Sequence, residues 1–255
     1  MSASAVLAGI GVVITRPRAP AEALAARLSE AGARTFVFPA LAIEPAAASG
    51  ELDAALDRAS SCDLAIFVSA NAVEHGLAAA RRRGTWPKRV AAVGDATAAA
   101  LRNSGFDTVI SPRGRQDSEA LAALDELKAV DGRHILIFRG KGGREILRES
   151  LASRGAHVTY AECYRRFRPT GDPAPLLAAW AEGQVHAVSV LSAETLENFV
   201  AMIGPEGAAR LASSALVVPH EAVGARPLAQ RFSRVVVAPP DETMVRALAA
   251  LRVTT

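Results

Sequence analysis

Ser69 in VSANAVEHGL and Ser192 in LSAETLENFV hold the same place in two related stretches. Each closes a short apolar run and opens a segment of helical spacing, where free backbone N–H groups favour anions and a hydroxyl can accept from them. The other strand-to-helix junctions carry a similar chemistry: Thr15-Arg16, Ser69-Ala70-Asn71, Gly94-Asp95-Ala96-Thr97, Arg139-Gly140-Lys141-Gly142-Gly143, Ser192-Ala193 and Pro219-His220-Glu221. Small hydroxyls, glycines and a few arginines suit the recognition of carboxylates. Capping alone accounts for Ser69, Ser192, Asp95 and Thr97 more often than ligand contact does. Ligand contact gains weight if the two copies face one cleft. The glycine loop matches neither GxxxxGK[ST] nor GxGxxG, which argues against a nucleotide; plain turn chemistry and a backbone nest for a carboxylate stand equal there.

Tyr160 and Tyr164 are the two tyrosines of the chain, both in HVTYAECYRRF. Four residues apart, they share a face if the strand stays extended. Core packing is the default for a strand tyrosine, but Tyr164 runs into FRPTGDPAP, whose Pro/Gly content suits a connection between domains, where core packing is less expected.

Net charge is +3 and no long Lys/Arg block is present, so an acidic small molecule fits better than a nucleic acid. Arg81, Arg82 and Arg83 form the dense basic run and read as a solvated helix end. Cys62 and Cys163 have no metal or redox spacing, and His75, His134, His157, His186 and His220 are scattered, so no metal is expected. With no signal-like N-terminus and no apolar stretch of membrane-spanning length, the expected setting is the cytoplasm, without membrane association.

The elements that must position these residues come from a repeat. The 123-residue interval from Ser69 to Ser192 also separates Ile14 from Ile137, Arg16 from Arg139, Gly32 from Gly155 and Ala33 from Ala156. VVITRPRAPAEALAARLSEAGARTFVF thus pairs with ILIFRGKGGREILRESLASRGAHVTYA, each a strand, an amphipathic helix ending at Gly, and a strand. A looser pair, RVAAVGDATAAALRNSGFDTVISP and ALVVPHEAVGARPLAQRFSRVVVAP, leads into helices that Asp117 and Asp241 would cap. Half of the 255 residues are hydrophobic and only 5% aromatic. Unalternated apolar strands in such a chain predict an α/β fold of two doubly wound, mostly parallel lobes, duplicated, with ligands beyond the strands' carboxyl ends. Periodicity alone makes the halves contiguous, with FPALAIEP and FRPTGDPAP as two crossings between lobes.

Taken in order, VVITRP, FPALAIEP, VSANAV, AAVGDATAAALRNSGF, FRGKGGREILRESLASRGA, ECYRR, VLSAETLENF and VVPHEAV resemble the uroporphyrinogen-III synthase family over the whole chain. The resemblance implies two lobes joined by a two-strand connection with a cleft between them. The first lobe would comprise residues 1–38 plus 170–255 and the second 42–166, with 39–41 and 167–169 as connections. The opening βαβ is thereby exchanged, so that Arg16 goes with Ser192 and Arg139 with Ser69.

It also implies a cofactor-independent lyase that cyclises hydroxymethylbilane to uroporphyrinogen III, losing water and inverting ring D through a spiro intermediate. Tyr164 matches the family's tyrosine, which assists departure of the hydroxyl or orients the terminal ring; phenols stay protonated at neutral pH and so can donate. Thr97 matches a family threonine, and Ser69 and Ser192 match paired strand-end serines. Around them Ala70, Asn71, Gly94, Ala193 and His220 are expected at the substrate, with Arg16 and Arg139 as carboxylate partners. VPHEAV lacks the Gly and Thr of VGDAT, so the two grips would differ. A monomer is expected, with at most transient contact with the preceding pathway enzyme. The rival readings are a cytosolic two-lobed binding protein for an anionic small molecule and a sugar-nucleotide transferase.

Overall fold

The computed structural model describes residues 6–239 and 242–251. Its elements begin β1 (Gly11–Ile14), α1 (Arg18–Glu30), β2 (Arg34–Val37), β3 (Ala42–Pro45), α2 (Gly50–Asp57), β4 (Leu64–Phe67), α3 (Ala70–Arg82), β5 (Val90–Ala92), α4 (Asp95–Asn103), β6 (Val109–Ile110) and α5 (Ser118–Ala122). They continue with β7 (His134–Gly140), α6 (Ile146–Ala152), β8 (His157–Phe167), α7 (Ala174–Ala181), β9 (Ala187–Ser189), α8 (Ala193–Ala208), β10 (Ala215–Val218), α9 (Glu221–Gly224), β11 (Arg234–Val237) and α10 (Glu242–Ala249). Asp241, expected to cap the last helix, lies outside the described residues, as do the extreme ends of the expected first lobe.

The chain divides into two compact units, one up to Ala42 and from Phe167 onward, the other Ile43–Arg166. In the first, the sheet order is β11-β10-β9-β1-β2 with parallel pairing throughout. In the second it is β3-β8-β7-β4-β5-β6, with the five strands after β3 all parallel. Read as β2-β1-β9-β10-β11 and β8-β7-β4-β5-β6, the orders superimpose, and the βαβ segments are exchanged between the chain halves. β1 pairs with β9, and β7 with β4, across long sequence separations.

Both faces of these strands are apolar, as a parallel sheet covered by crossover helices on both sides requires. In the first unit Val13, Val188 and Leu216 join one core layer, while Val12, Ile14, Ala187 and Val217 join the other. In the second, Phe67, Leu136 and Phe138 face one layer and Ile66, Ile135 and Ile137 the opposite one. The Phe67 and Phe138 rings stack with centroids 4.4 Å apart. Gly76 on α3 makes room for that pair, since a Cβ there would lie 2.5 Å from the Phe138 ring.

The repeat is visible in the turns. Gly32 and Gly155 take φ of 93° and 85°, and the amides that follow them, of Ala33 and Ala156, donate to Leu28 and Leu151 carbonyls. Only glycine enters that region without a steric cost, so the same residue closes the same helix twice. Caps are equally local: Ser69, Ser192 and Asp117 accept from the amides of Ala72, Thr195 and Ala120. Asp95 and Thr97 do not cap. The cap of α4 is Gly94, Asp95 is the first helical residue, and Thr97 is buried in the first turn. Among the described residues no helix is long and apolar enough to cross a membrane.

Candidate functional site

In the second unit the strands end around a cavity of about 330 Å³ whose lining includes Ser69, Arg139, Gly140, Arg144, Tyr164 and Arg166. Tyr164 is one of the residues that line it. Its side chain is only 6% exposed, packed with Phe67 and Phe138, and its hydroxyl lies 3.1 Å from the Ser69 Oγ. Ser69 Oγ also accepts from Ala72 N at 3.1 Å. The cap and the phenol contact are therefore made by one hydroxyl, which the strand–Ser–helix junction holds in place. Tyr164 thus packs in the core after all, and reaches the cavity with its polar tip.

The two tyrosines do not share a face. β7 and β8 run in register from His134↔His157 to Arg139↔Glu162, but Gly140 then pairs with Tyr164. One extra residue on β8 bulges the strand and resets its alternation. Tyr160 consequently packs with Ile66, Ile135 and Ile137, and Tyr164 with the layer on the other side. Gly140 is required at this point: a Cβ would lie 2.6 Å from the Tyr164 ring.

Arg139, expected to meet a substrate carboxylate, gives Nε and Nη1 to the chain itself. It is 5% exposed; Nε donates to the Gly142 carbonyl at 3.1 Å and Nη1 to Glu145 Oε1 at 2.9 Å. Glu162 Oε1 lies 3.7 Å from Nε and accepts from Gly142 N at 3.1 Å. The glycine loop is thus folded around internal charges, with one of its amides occupied by a carboxylate of this chain. Tyr160 covers the guanidinium, 4.3 Å from Cζ to the ring centroid, and its hydroxyl donates to Glu145 Oε2 at 2.8 Å. These two hydrogen bonds, first from Tyr160 and then from Arg139, hold the Glu145 carboxyl below its usual range. Burial and the Glu145 contact push the Tyr160 phenol up to about 12.

The remaining expected residues of this unit are distributed along helix starts. Ala70 and Asn71 open α3; Gly94 opens α4, where the Asp95 amide donates to Gln116 Oε1 at 3.1 Å and Gln116 in turn bonds the Asp95 carboxylate. Gln116 therefore closes that helix N-terminus. Arg144 and Arg166 line the cavity and were not singled out from the sequence, although both sit inside the motifs FRGKGGREI and ECYRRF. Two adjacent arginines are not ranked by sequence alone: Arg166 lines this cavity, whereas Arg165 pairs with Glu44.

In the first unit, Arg16 follows β1 and is half-buried. Its Nε and Nη2 are shielded from solvent without a hydrogen-bond partner, and desolvation together with the nearby Arg27 charge lowers its pKa. Thr15, beside it, donates to the Ser189 carbonyl at 2.7 Å. Ser192 accepts from Thr195 N at 3.2 Å and meets the Thr195 hydroxyl at 2.9 Å, and Ala193 begins α8. His220 is exposed at the start of α9, and its side chain makes no cap bond. The phenol has no counterpart here, since both tyrosines lie in β8. Cys62 and Cys163 are free and buried, and burial pushes their thiols up to about 11 and about 12. Burial of this kind keeps a thiol protonated at neutral pH.

A family model described as uroporphyrinogen-III synthase HemD matches residues 22–249. The chain is 38% identical over 196 residues to the uroporphyrinogen-III synthase of Salmonella typhimurium, covering 74% of this chain and 78% of that one. It is 32% identical over 197 residues to that of Escherichia coli, covering 76% and 80%. In fold it resembles a mutant uroporphyrinogen III synthase of Thermus thermophilus, with TM-score 0.60 at 19% identity over 95% of this chain and 97% of that one. The enzyme of Helicobacter pylori gives 0.58 at 14% identity over 96% and 99%.

Proposed function

The chain belongs to the uroporphyrinogen-III synthase family, and from that premise we propose that it cyclises hydroxymethylbilane to uroporphyrinogen III, with Tyr164 as the residue that assists the chemistry. The family's enzymes are cofactor-independent cyclising lyases of haem biosynthesis, acting on a tetrapyrrole. The observation that carries the assignment to residues is the Tyr164 hydroxyl, 3.1 Å from Ser69 Oγ in a cavity rimmed by arginines.

Cyclisation begins with loss of the terminal hydroxyl as water, leaving an electrophilic azafulvene. Tyr164 donates a hydrogen bond to the departing oxygen, and Ser69 holds the phenol so that its proton is directed there. Hydrogen-bond assistance suffices, because the pyrrole nitrogen supplies the electron pair that expels the hydroxyl, and the N–H proton it then gives up completes the water. The substituted carbon of ring D then attacks, forming the spiro intermediate, which fragments and recloses with ring D inverted. The unassisted substrate closes to the uninverted isomer, so the protein must chiefly hold the reacting ends in the less accessible arrangement. Arg144 and Arg166 supply positive charge for substrate carboxylates near Tyr164. Arg16 offers a further carboxylate position in the first unit, where an anion would satisfy N–H groups that now lack acceptors.

The test is turnover of freshly prepared hydroxymethylbilane by the purified chain with nothing added, followed by oxidation and separation of the porphyrin isomers. Predominantly type III product is expected. Type I at the uncatalysed rate would overturn the proposal.

A further inference from the structure

We propose that Arg139 is a positioning residue for Tyr164, acting through the Gly140–Glu145 loop, and is not itself a substrate ligand. The inference rests on the reading of Tyr164 as the assisting phenol.

The loop has two sides. On one, it is wrapped around the Arg139 guanidinium: the Gly140 and Gly142 carbonyls accept from Nε at 3.3 and 3.1 Å, and Glu145 accepts from Nη1. Gly143, at φ of 122°, passes so close that a Cβ would lie 3.1 Å from Nη2. Tyr160 closes the face of the guanidinium and ties Glu145 from its second oxygen. On the other side, the same few residues grip Tyr164. Lys141 N donates to the Tyr164 carbonyl at 2.8 Å, Gly140 is its pairing partner at the bulge, and the bare Gly140 Cα is the surface on which its ring rests.

A bulge leaves the backbone locally unpaired and free to slip, so something must specify it. Here the specification is electrostatic. A buried cation binds the loop's carbonyls and a carboxylate at its end, and the loop's backbone then sets where the phenol stands. With one face of the guanidinium under Tyr160, Nε on the loop carbonyls and Nη1 on Glu145, a substrate carboxylate would compete at Arg139 with the chain's own acceptors.

The two roles separate experimentally. In the full chain labelled with fluorotyrosine, the two fluorine resonances are assigned with the Tyr160→Phe variant, leaving Tyr164 as a direct report on the phenol. Arg139→Met is expected to shift the Tyr164 resonance and to lower kcat by about 10- to 100-fold with KM unchanged, the cost of displacing a reacting group by about 1 Å. Glu145→Gln, at a half-exposed position that the fold tolerates more easily, is expected to act in the same direction and decides the matter if Arg139→Met does not fold. Arg139→Lys, which keeps the charge but not the planar fork, should restore only part of the rate.

An unmoved Tyr164 resonance with a raised KM would make Arg139 a substrate ligand and overturn the proposal. An unmoved resonance with unchanged kinetics would overturn it as well. A shifted resonance with full activity, in an enzyme where Tyr164→Phe is also fully active, would leave the positioning intact and remove the catalytic reading of Tyr164.

Discussion

Arg16 and Arg139 hold equivalent places in the two units, one strand end apart from the helix cap at Ser192 or Ser69, yet one guanidinium is held by acceptors of its own chain and the other has two shielded nitrogens without them. Arg139 has Glu145 and Glu162 within ion-pair distance and Tyr160 across its face. At the repeat interval those two carboxylates become Glu22 and Pro39, and Glu22 pairs with Arg18 at 3.5 Å. Arg16 therefore keeps two shielded N–H atoms without acceptors. The same backbone plan has yielded an internal clasp in one unit and an unsatisfied cation in the other. A satisfied buried charge organises its own chain, whereas an unsatisfied one is stabilised by an incoming anion.

That contrast can be broken most severely at the phenol, which exists in only one unit. Tyr164→Phe is expected to lower kcat by about 100-fold, at the lower end of what a positioned proton donor contributes, while the urea midpoint stays close to that of the parent chain. Steady-state kinetics beside a denaturation curve would check both; an unchanged kcat would remove the distinction between the units as far as chemistry is concerned.

Arg16→Gln probes the other side. Losing one charge-assisted carboxylate contact should raise KM about tenfold, with kcat retained and no loss of stability, since a desolvated and unpaired cation is removed. A lowered kcat with unchanged KM would mean that Arg16 acts as Arg139 does. The two serines give a smaller, graded comparison. Ser192→Ala and Ser69→Ala should each cost about 1 kcal/mol of stability through the lost cap, and only Ser69→Ala should also lower kcat, because only Ser69 touches the phenol.

The smallest effect is the response of the clasp to pH, with no parallel at Arg16. The Glu145 carboxyl is depressed on folding, so its contribution is present at neutral pH and disappears as pH falls below the ordinary carboxylate range. The Tyr160 phenol is raised to about 12, so its contribution is complete below the ordinary phenol value and is lost as pH rises toward 12. Between those limits the fluorine resonance of Tyr160, which sits in the clasp itself, should not move. A transition near neutrality would mean that another group controls the loop.

Much of the architecture was legible along the chain. Apolar runs without alternation, glycines at helix ends and serines before helices are local signals, and each produced the element it announces. The repeat announced a shared plan but not its partition, because an offset records which segments correspond and not which of them pair; β1 meets β9 and β7 meets β4 only in the folded sheets. The site was less legible. Asp95 and Thr97 resembled caps by type, but Gly94 takes the cap and Gln116, distant in sequence, closes that helix start. Tyr160 and Tyr164 looked alike by spacing, and the bulge between Arg139 and Gly140 sent them to opposite layers.

The sequence by itself determined the composition of each strand end: a serine that caps, a glycine loop, an arginine, and a phenol in one copy only. These depend on residue type and near neighbours, which the chain displays directly. Only the tertiary structure decided what each charge meets. An arginine's role is set by which acceptors lie within about 3 Å of its nitrogens, and those belong to a neighbouring strand, a bulged partner and a loop folded back on itself. Hence Arg139 is enclosed by its own chain, Arg16 is left with unsatisfied donors, and Tyr164 is the tyrosine whose hydroxyl meets the capping serine.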